Sequence, residues 1–405
     1  MALIVLVADT LNESGLADLR ACGCEVICEP GLKDDALRTA VARSRCNVLI
    51  VRGTEVKKDV IEASDDLGLI IRAGAGYNTI DVAAASRRGV AVANCPGKNA
   101  VAVAELTFGL ILALDRRIVD GAVDLRAGKW NKKEYSKARG LKGRTLGVVG
   151  VGDIGRAVIR RAKAFEMEVV AYSRSLTHDR AEELGVLRCS SPAEVAARCD
   201  VLSVHLAAAP ETKNIINADV IKQLKPGSYF VNTARADVVD YSALADAMKK
   251  RDIRVGLDVY PKEPSAGEAE FAAEIVRTGG VVYGTHHIGA STDQAQQAIA
   301  EEAVRIATTY AQTGQVLHCV NIEHAPNAAC QLVVRHYDKV GVLASVLDLI
   351  SRANISVKEM SNSIYQGFEA AVAVIQLDKN PPASLVDSIA AMKDKIIKVE
   401  VKCAK

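Results

Sequence analysis

Three side chains of complementary chemistry stand just beyond apolar runs in the second half of the chain. Arg235 follows Tyr229–Asn232, Glu263 follows Val255–Val259, and His287 follows Val281–Tyr283. A histidine held near neutrality by a carboxylate is suited to take a hydroxyl proton. An arginine beside it can bind a carboxylate and polarise the oxygen on which charge develops. Hydride removal from C2 of a small 2-hydroxy acid needs that combination. Taken singly, an Arg or Glu in a loop is an ordinary solvated charge. Together, at the carboxyl ends of strands in one parallel sheet, they fall on the edge where such sheets place ligands. Of the adjacent pair, His287 is taken as the base and His286 as a bystander.

A second constellation lies upstream. Gly150-Val151-Gly152-Asp153-Ile154-Gly155 follows an apolar strand and opens a helix. The first Gly suits the tight turn, the second a close approach to pyrophosphate, and the third helix–strand packing, with free N–H groups at the helix start meeting the anion. Outside that context the same pattern is only a Gly-rich turn. The next strand should end in an acid for the adenosine ribose, yet Ser173 stands there, followed by Arg174. With no carboxylate at the strand tip, Arg174 can pair with a 2′-phosphate, which favours NADP over NAD. The other reading keeps NAD, with Arg174 stacked on adenine.

The elements that carry these residues follow from pattern. Leu3–Val7, Glu25–Cys28, Val48–Val51, Leu69–Arg72 and Val90–Ala93 read as strands, with helical spacing at Asp34–Arg45 and Val56–Ser64 between them. Asn99 is expected to cap a long apolar helix, Ala100–Leu114. Six further strands, from Thr145–Val149 to Val281–Tyr283, alternate with helices in a second doubly wound series. Helix Asp293–Gln312 leads back towards the first. After a polar bridge, His318–Asn327, the chain turns to a βαββαβ pattern that can fold alone. The fold class is therefore α/β, with two doubly wound parallel-sheet domains of Rossmann or flavodoxin type plus a C-terminal ferredoxin-like domain. The expected boundaries are 1–98, completed by 288–320, for substrate; 99–287 for the dinucleotide; and 328–405 for the last module.

Bulk composition agrees. The 405 residues are 49% hydrophobic and 25% charged, with 51 basic against 49 acidic side chains. That balance offers no basic field for nucleic acid, and aromatics at 4% offer no stacking platform. The apolar start, MALIVLV, is short and lacks a basic flank, so it reads as a buried strand, and no apolar run is long enough to span a membrane. The ten Cys are scattered; Cys22-Gly23-Cys24 lacks a second pair for zinc. Free, mostly buried thiols, no metal and a cytoplasmic location are expected.

These residues, with Arg72-Ala73-Gly74-Ala75-Gly76, Asn78-Thr79-Ile80-Asp81, Ala104-Glu105, Gly128-Lys129-Trp130, LKPGSYFVNTAR (224–235), LDVYPKEP (257–264) and HIGAST (287–292), make a pattern that resembles the D-isomer-specific 2-hydroxyacid dehydrogenases over nearly the whole chain. Within them it is similar to the branch acting on 3-phosphoglycerate and 3-phosphohydroxypyruvate in serine synthesis. The resemblance implies a substrate-binding Arg235, a Glu263–His287 acid–base pair and Asp258 near the nicotinamide carboxamide. It implies a substrate-carboxylate loop at Ala73–Gly76 and phosphate contacts from Arg52, Arg72 and Lys132, the last from a partner subunit. The C-terminal module resembles an ACT domain, with His336, Asp338 and Asn354, beside Gly341, at positions of an L-serine site. Asp338 stands where relatives have Asn. Ala236, Ala207 and His286 also depart from the usual Gly, Pro and Pro. A homodimer or homotetramer is implied. Two rival readings are an NADPH-dependent glyoxylate or hydroxypyruvate reductase, and a dinucleotide-sensing, corepressor-like protein. The intact Arg–Glu–His set and the ACT-like module count against the second.

Overall fold

Short apolar segments rich in Val, Ile and Leu, buried on both faces, build two parallel sheets. The computed structural model describes residues 2–264, 268–323 and 328–403. In the first sheet β1 (Ile4–Val7), β2 (Glu25–Cys28), β3 (Val48–Val51), β4 (Leu69–Arg72) and β5 (Ala91–Asn94) lie in the order β2-β1-β3-β4-β5. That order is the flavodoxin-like winding. The second sheet contains β6 (Thr145–Val149), β7 (Glu168–Tyr172), β8 (Leu187–Arg188), β9 (Val201–Val204), β10 (Tyr229–Asn232), β11 (Arg254–Leu257) and β12 (Val282–Gly284). Its order, β12-β11-β10-β9-β6-β7-β8, reverses direction between β6 and β9, which opens a crevice at their carboxyl ends.

The second sheet corrects the expectation of six strands. Its seventh, β8, is two residues long and exposed, too short to leave a period in the sequence. The helix expected over Val56–Ser64 shrinks to Lys58–Ile61, because Val56 makes a parallel bridge with Ile80. Asn99 begins the Ala100–Arg116 helix, but its side chain makes no cap hydrogen bond. Its Oδ1 is instead buried without a partner.

Two long helices tie the sheets into one compact unit, Met1–Asn321. The apolar face of Ala100–Arg116 (Ala104, Phe108, Ile111, Leu114) packs on Leu146, Val148 and Val231 of the second sheet. Each such fully buried Leu, Ile or Phe contributes roughly 1.5–3 kcal/mol. The Asp293–Thr313 helix lays Ile299, Ala303, Ile306 and Ala307 against Val5, Ile50 and Ile71 of the first. Both helices therefore run between the sheets, and the segments leading into them border the crevice.

The second unit, Ile322–Lys405, holds a four-stranded antiparallel sheet. Its strands are β13 (Cys330–Tyr337), β14 (Val357–Ile364), β15 (Ala370–Leu377) and β16 (Ile396–Cys403), in the order β14-β15-β13-β16. Helices Val342–Arg352 and Ala383–Ala390 cover one face through Val346, Ile350, Leu385 and Ile389. This is the expected βαββαβ module. Of the expected bridge, residues 324–327 lie outside the described residues, while His318 bonds back to Glu302 in the first unit.

Candidate active site

The glycine motif has the geometry a pyrophosphate requires. Gly150 turns out of β6 at φ 100°, in the left-handed region, and a side chain there would strike the His205 carbonyl. A side chain on Gly155 would strike the Gly150 carbonyl, so this Gly lets the helix pack on the turn. Gly152 begins the Asp153–Ala164 helix without any side-chain cap and with open space before it. Free helix N–H groups facing open space make an anion seat. Asp153 and Ile154 line the same cleft, Asp153 paired with Arg156 at 2.5 Å.

That cleft measures about 670 Å³ and is bordered by residues of both sheets. Three of its wall residues carry buried polar atoms with no protein partner: Arg72 Nε, Asn99 Oδ1 and His205 Nδ1. Buried polar atoms without a protein partner suit a polar ligand. His205 bonds Ser203 Oγ through Nε2 at 2.8 Å, and burial pushes its imidazole down to about 3, so it is neutral. The glycine turn, the uncapped helix start and the buried atoms of Asn99 and His205 fit a dinucleotide.

Ser173 and Arg174 stand at the tip of β7 as expected, with Ser173 Oγ 3.4 Å from Ser175 Oγ. The expectation that no carboxylate faces Arg174 is corrected. Arg174 Nη2 donates to Glu211 Oε1 at 3.1 Å, from the short turn Pro210–Thr212 beyond β9.

The structure brings Arg235, Glu263 and His287 to one wall. His287 Nδ1 lies 2.6 Å from Glu263 Oε2, and the other carboxylate oxygen accepts the Tyr260 N–H at 2.7 Å. Burial raises the Glu263 pKa, but bonds from His287 and Tyr260 and the charges of His287 and Arg235 outweigh it. The group ends below the usual glutamate range. His287 itself takes a left-handed backbone, φ 53°. His286 is exposed and does not line the cleft.

Asp258 explains how that loop is held. Its carboxylate accepts from Thr285 Oγ1 at 2.5 Å, Ile288 N at 2.9 Å and Gly289 N at 2.9 Å. It brackets His287 on both sides, so its first task is to anchor the histidine loop. Asn232, the last residue of β10, does the same for arginine: its Nδ2 donates to the Arg235 carbonyl at 2.9 Å and its Oδ1 accepts the Ala234 N–H at 2.9 Å. The sequence signal for Asn232 was a polar residue closing an apolar strand.

Opposite lies Ala73–Gly76. Asn94 Nδ2 holds the Ala75 carbonyl at 2.6 Å and Cys95 N holds the Gly74 carbonyl at 2.9 Å. In trans peptides the following N–H groups, of Ala75 and Gly76, point the other way. A side chain on Gly74 would strike Arg72 Nη1 and one on Gly76 would strike Arg235 Nη2, so both glycines make room for guanidinium groups. Burial, then the charges of Arg235 and Arg52, bring Arg72 down to about 10. Arg235 is lowered by burial too, against the pull of Glu263. Arg52 bonds Gln296 Oε1 at 3.2 Å, and its loop is tied by Asp9, which accepts the N–H groups of Arg52, Gly53 and Thr54. Arg52, Arg72 and Arg235 all line the cleft. Lys132 does not; it is exposed at the start of the short helix Lys132–Tyr135.

The residues expected to form an effector site are not brought together within one chain. His336 is buried, with Nδ1 2.7 Å from the Tyr337 carbonyl and Nε2 3.1 Å from Asn362 Oδ1. Asp338 is exposed before the Val342–Arg352 helix, while Asn354 follows its far end in a groove with Ser351 and Asp378. Eleven helical residues, about 16 Å of rise, separate the two places. Among the described residues no cluster of His, Cys, Asp and Glu could hold a metal ion.

Comparison with known proteins agrees with this geometry. Residues 108–289 match the model of the D-isomer specific 2-hydroxyacid dehydrogenase, NAD binding domain. The chain is 38% identical over 296 residues to the D-3-phosphoglycerate dehydrogenase of Methanocaldococcus jannaschii, covering 73% of this chain and 55% of that one. A Schizosaccharomyces pombe protein provisionally named for the same activity is 33% identical over 371 residues, covering 87% of this chain and 78% of its own. The chain thus spans about half the length of the first curated relatives it matches. Among solved structures, NAD+-bound 3-phosphoglycerate dehydrogenase of Entamoeba histolytica superposes with TM-score 0.67 at 26% identity, over 80% of this chain and 99% of that one. An NADPH-dependent glyoxylate/hydroxypyruvate reductase of Sinorhizobium meliloti, in complex with NADP and malonate, gives 0.68 at 27% identity, over 79% and 97%. The chain belongs to the D-isomer specific 2-hydroxyacid dehydrogenase family.

Proposed function

We propose that the chain catalyses the reversible NAD(P)-dependent oxidation of 3-phospho-D-glycerate to 3-phosphohydroxypyruvate, the D-3-phosphoglycerate dehydrogenase reaction at the entry to L-serine synthesis. One observation carries the reading: His287, held by Glu263, lines a cleft with Arg52, Arg72 and Arg235. Two of these guanidinium groups are buried enough to be pushed down in pKa. Such a cleft asks for a substrate with more than one anionic group and a proton to lose. Curated relatives that bear this activity support it.

In this mechanism His287 Nε2, its Nδ1 fixed by Glu263, takes the C2 hydroxyl proton. Glu263 stabilises the imidazolium that results. Arg235, with the N–H groups of Ala75 and Gly76, holds the carboxylate and the C2 oxygen. Arg52 and Arg72 hold the phosphate, joined by Lys132 of a second copy. Gly150–Gly155 would hold the dinucleotide, whose nicotinamide would accept the hydride leaving C2. Loss of turnover in His287→Ala at saturating substrate tests the assignment; near-full turnover would reject it.

A second reading is an NADPH-dependent glyoxylate or hydroxypyruvate reductase, for which Arg174 at the tip of β7 would have to leave Glu211 for a 2′-phosphate. Rates with NAD(H) and NADP(H), each against phosphorylated and unphosphorylated substrate, separate the two.

In this reading residues 1–98 with 288–320 bind substrate, 99–287 bind the dinucleotide, and 328–405 form an ACT effector domain. A homodimer or homotetramer is supported by the Ile118–Arg126 helix, which buries none of its residues. Ile118, Val123 and Leu125 there, and Trp130 beyond, are each more than half exposed. The distance between Asp338 and Asn354 supports an L-serine site completed by a second copy. Titrating L-serine against initial rate tests it, and no effect up to millimolar levels would reject it. Among the described residues no helix is long and apolar enough to cross a membrane; a cytoplasmic location is part of the proposal.

A further inference from the structure

Strands β7 and β9 flank β6 on either side, so the tips of both border the turn at Gly150. Arg174 lies just beyond β7 and Glu211 in the turn beyond β9, and their ion pair at 3.1 Å joins the two rims. It therefore crosses the crevice on the adenosine side of the pyrophosphate seat. Both side chains are open to solvent, at 68% and 49% exposure, so the pair is weak and readily exchanged. The Glu211 backbone N–H and the Arg174 guanidinium hold the carboxyl below its usual range, so it carries its charge at neutral pH. No acid stands at the carboxyl end of β7, where Ser173 and Ser175 just beyond the strand present only hydroxyls.

We propose that Glu211, acting across the crevice on Arg174, is the residue that selects the dinucleotide by its 2′ substituent. This rests on the dinucleotide reading of Gly150–Gly155. A 2′-phosphate must take Arg174 away from Glu211 and then lie beside that carboxylate, which repels it. A 2′-hydroxyl displaces nothing, and the carboxylate can accept a hydrogen bond from it. Glu211 thus does from β9 what an acid at the end of β7 does in other dinucleotide folds. Arg174 alone would favour the phosphorylated cofactor; paired, it does not.

The test is equilibrium binding of NADH and NADPH to the full chain, read by nucleotide fluorescence without substrate. Glu211→Gln keeps the shape and removes the charge. NADPH should bind roughly tenfold tighter to it, while NADH is unchanged or weakened by about threefold. In Glu211→Gln/Arg174→Gln the gain for NADPH should vanish, because the carboxylate acts through Arg174 and on the phosphate that Arg174 holds. A ratio of the two dissociation constants within about twofold of the wild type in Glu211→Gln would overturn the proposal. So would a gain for NADPH that persists in the double variant. If the wild type binds neither nucleotide, the dinucleotide reading fails and the proposal falls with it.

Discussion

Glu263 divides its carboxylate between two tasks, holding His287 Nδ1 with Oε2 at 2.6 Å and the Tyr260 N–H with Oε1 at 2.7 Å. The first fixes the ring and leaves Nε2 for the substrate; the second fixes the acid. Glu263→Gln keeps the shape and loses the charge that stabilises the imidazolium. We expect kcat to fall by about 10²-fold, against 10²–10⁴-fold for His287→Ala, with KM little changed. Because the Glu263 pKa lies below the ordinary range, its contribution is complete above that range and is lost only as pH falls through the lowered value. The wild-type rate advantage over Glu263→Gln should therefore hold from neutral pH down into the mildly acid range. An advantage already lost near neutrality in a kcat–pH profile would contradict the pairing.

Gly76 makes a sharper test of Arg235, because a substitution to Ala leaves the backbone N–H in place and adds only a methyl. An added methyl meets Arg235 Nη2, the end of a flexible side chain, so the arginine must move while the backbone need not. Gly76→Ala should fold normally and lose about 10²-fold in kcat/KM, since misplacement of about 1 Å at a reacting centre costs that much. Thermal melting and steady-state kinetics together check this. An unaltered kcat/KM would mean that Arg235 does not touch substrate.

Arg72 separates phosphorylated from unphosphorylated substrates. Its Nε is buried without a partner, and its charge is disfavoured by burial and by Arg235 and Arg52. A dianionic phosphate relieves all three. Arg72→Gln should raise KM for 3-phosphohydroxypyruvate by roughly 30-fold or more, the worth of a buried charge-assisted bond, and that for hydroxypyruvate by only a few-fold. Equal losses for both would assign Arg72 to the carboxylate instead, and the phosphate reading would fail.

The strands were legible because buried parallel strands are apolar on both faces; β2, β3 and β4 begin and end where the pattern placed them. The glycine turn and the Arg–Glu–His set were legible because each sits in a local context of strand end and following loop. What escaped depends on partners distant in the chain. Glu211 lies 37 residues from Arg174, and Asp9 lies 43 from Arg52, brought close only by the crossovers. Periodicity reports which face of an element is buried, not which loop of another strand lies opposite. Asn99 misled for a related reason: Asn before an apolar run is a capping signal, yet tertiary placement buried its Oδ1 in the cleft wall instead.

Glu302 shows how the helix that returns to the first sheet is fastened beside the cleft, and it supplies the clearest stability test. Its side chain is 4% exposed and pairs with Lys98 Nζ at 3.0 Å, His318 Nε2 at 2.9 Å and the Arg305 guanidinium. Lys98 belongs to the segment leading from β5 into the Ala100–Arg116 helix, and His318 to the segment after the Asp293–Thr313 helix. One carboxylate therefore joins both passages between the sheets. Burial alone would raise its pKa, but Arg305 and Lys98 bring it down to about 2. A carboxylate lowered on folding stabilises fully above its unfolded pKa and loses that contribution as pH falls towards the folded value. The gap sets a ceiling of about 3 kcal/mol, and the half-exposed partners reduce it to about 2 kcal/mol. Glu302→Gln should therefore melt about 3 °C below the wild type at neutral pH. The difference should begin to close only below about pH 4.5. A difference that stays constant to about pH 3 would show that packing, not charge, holds the joint.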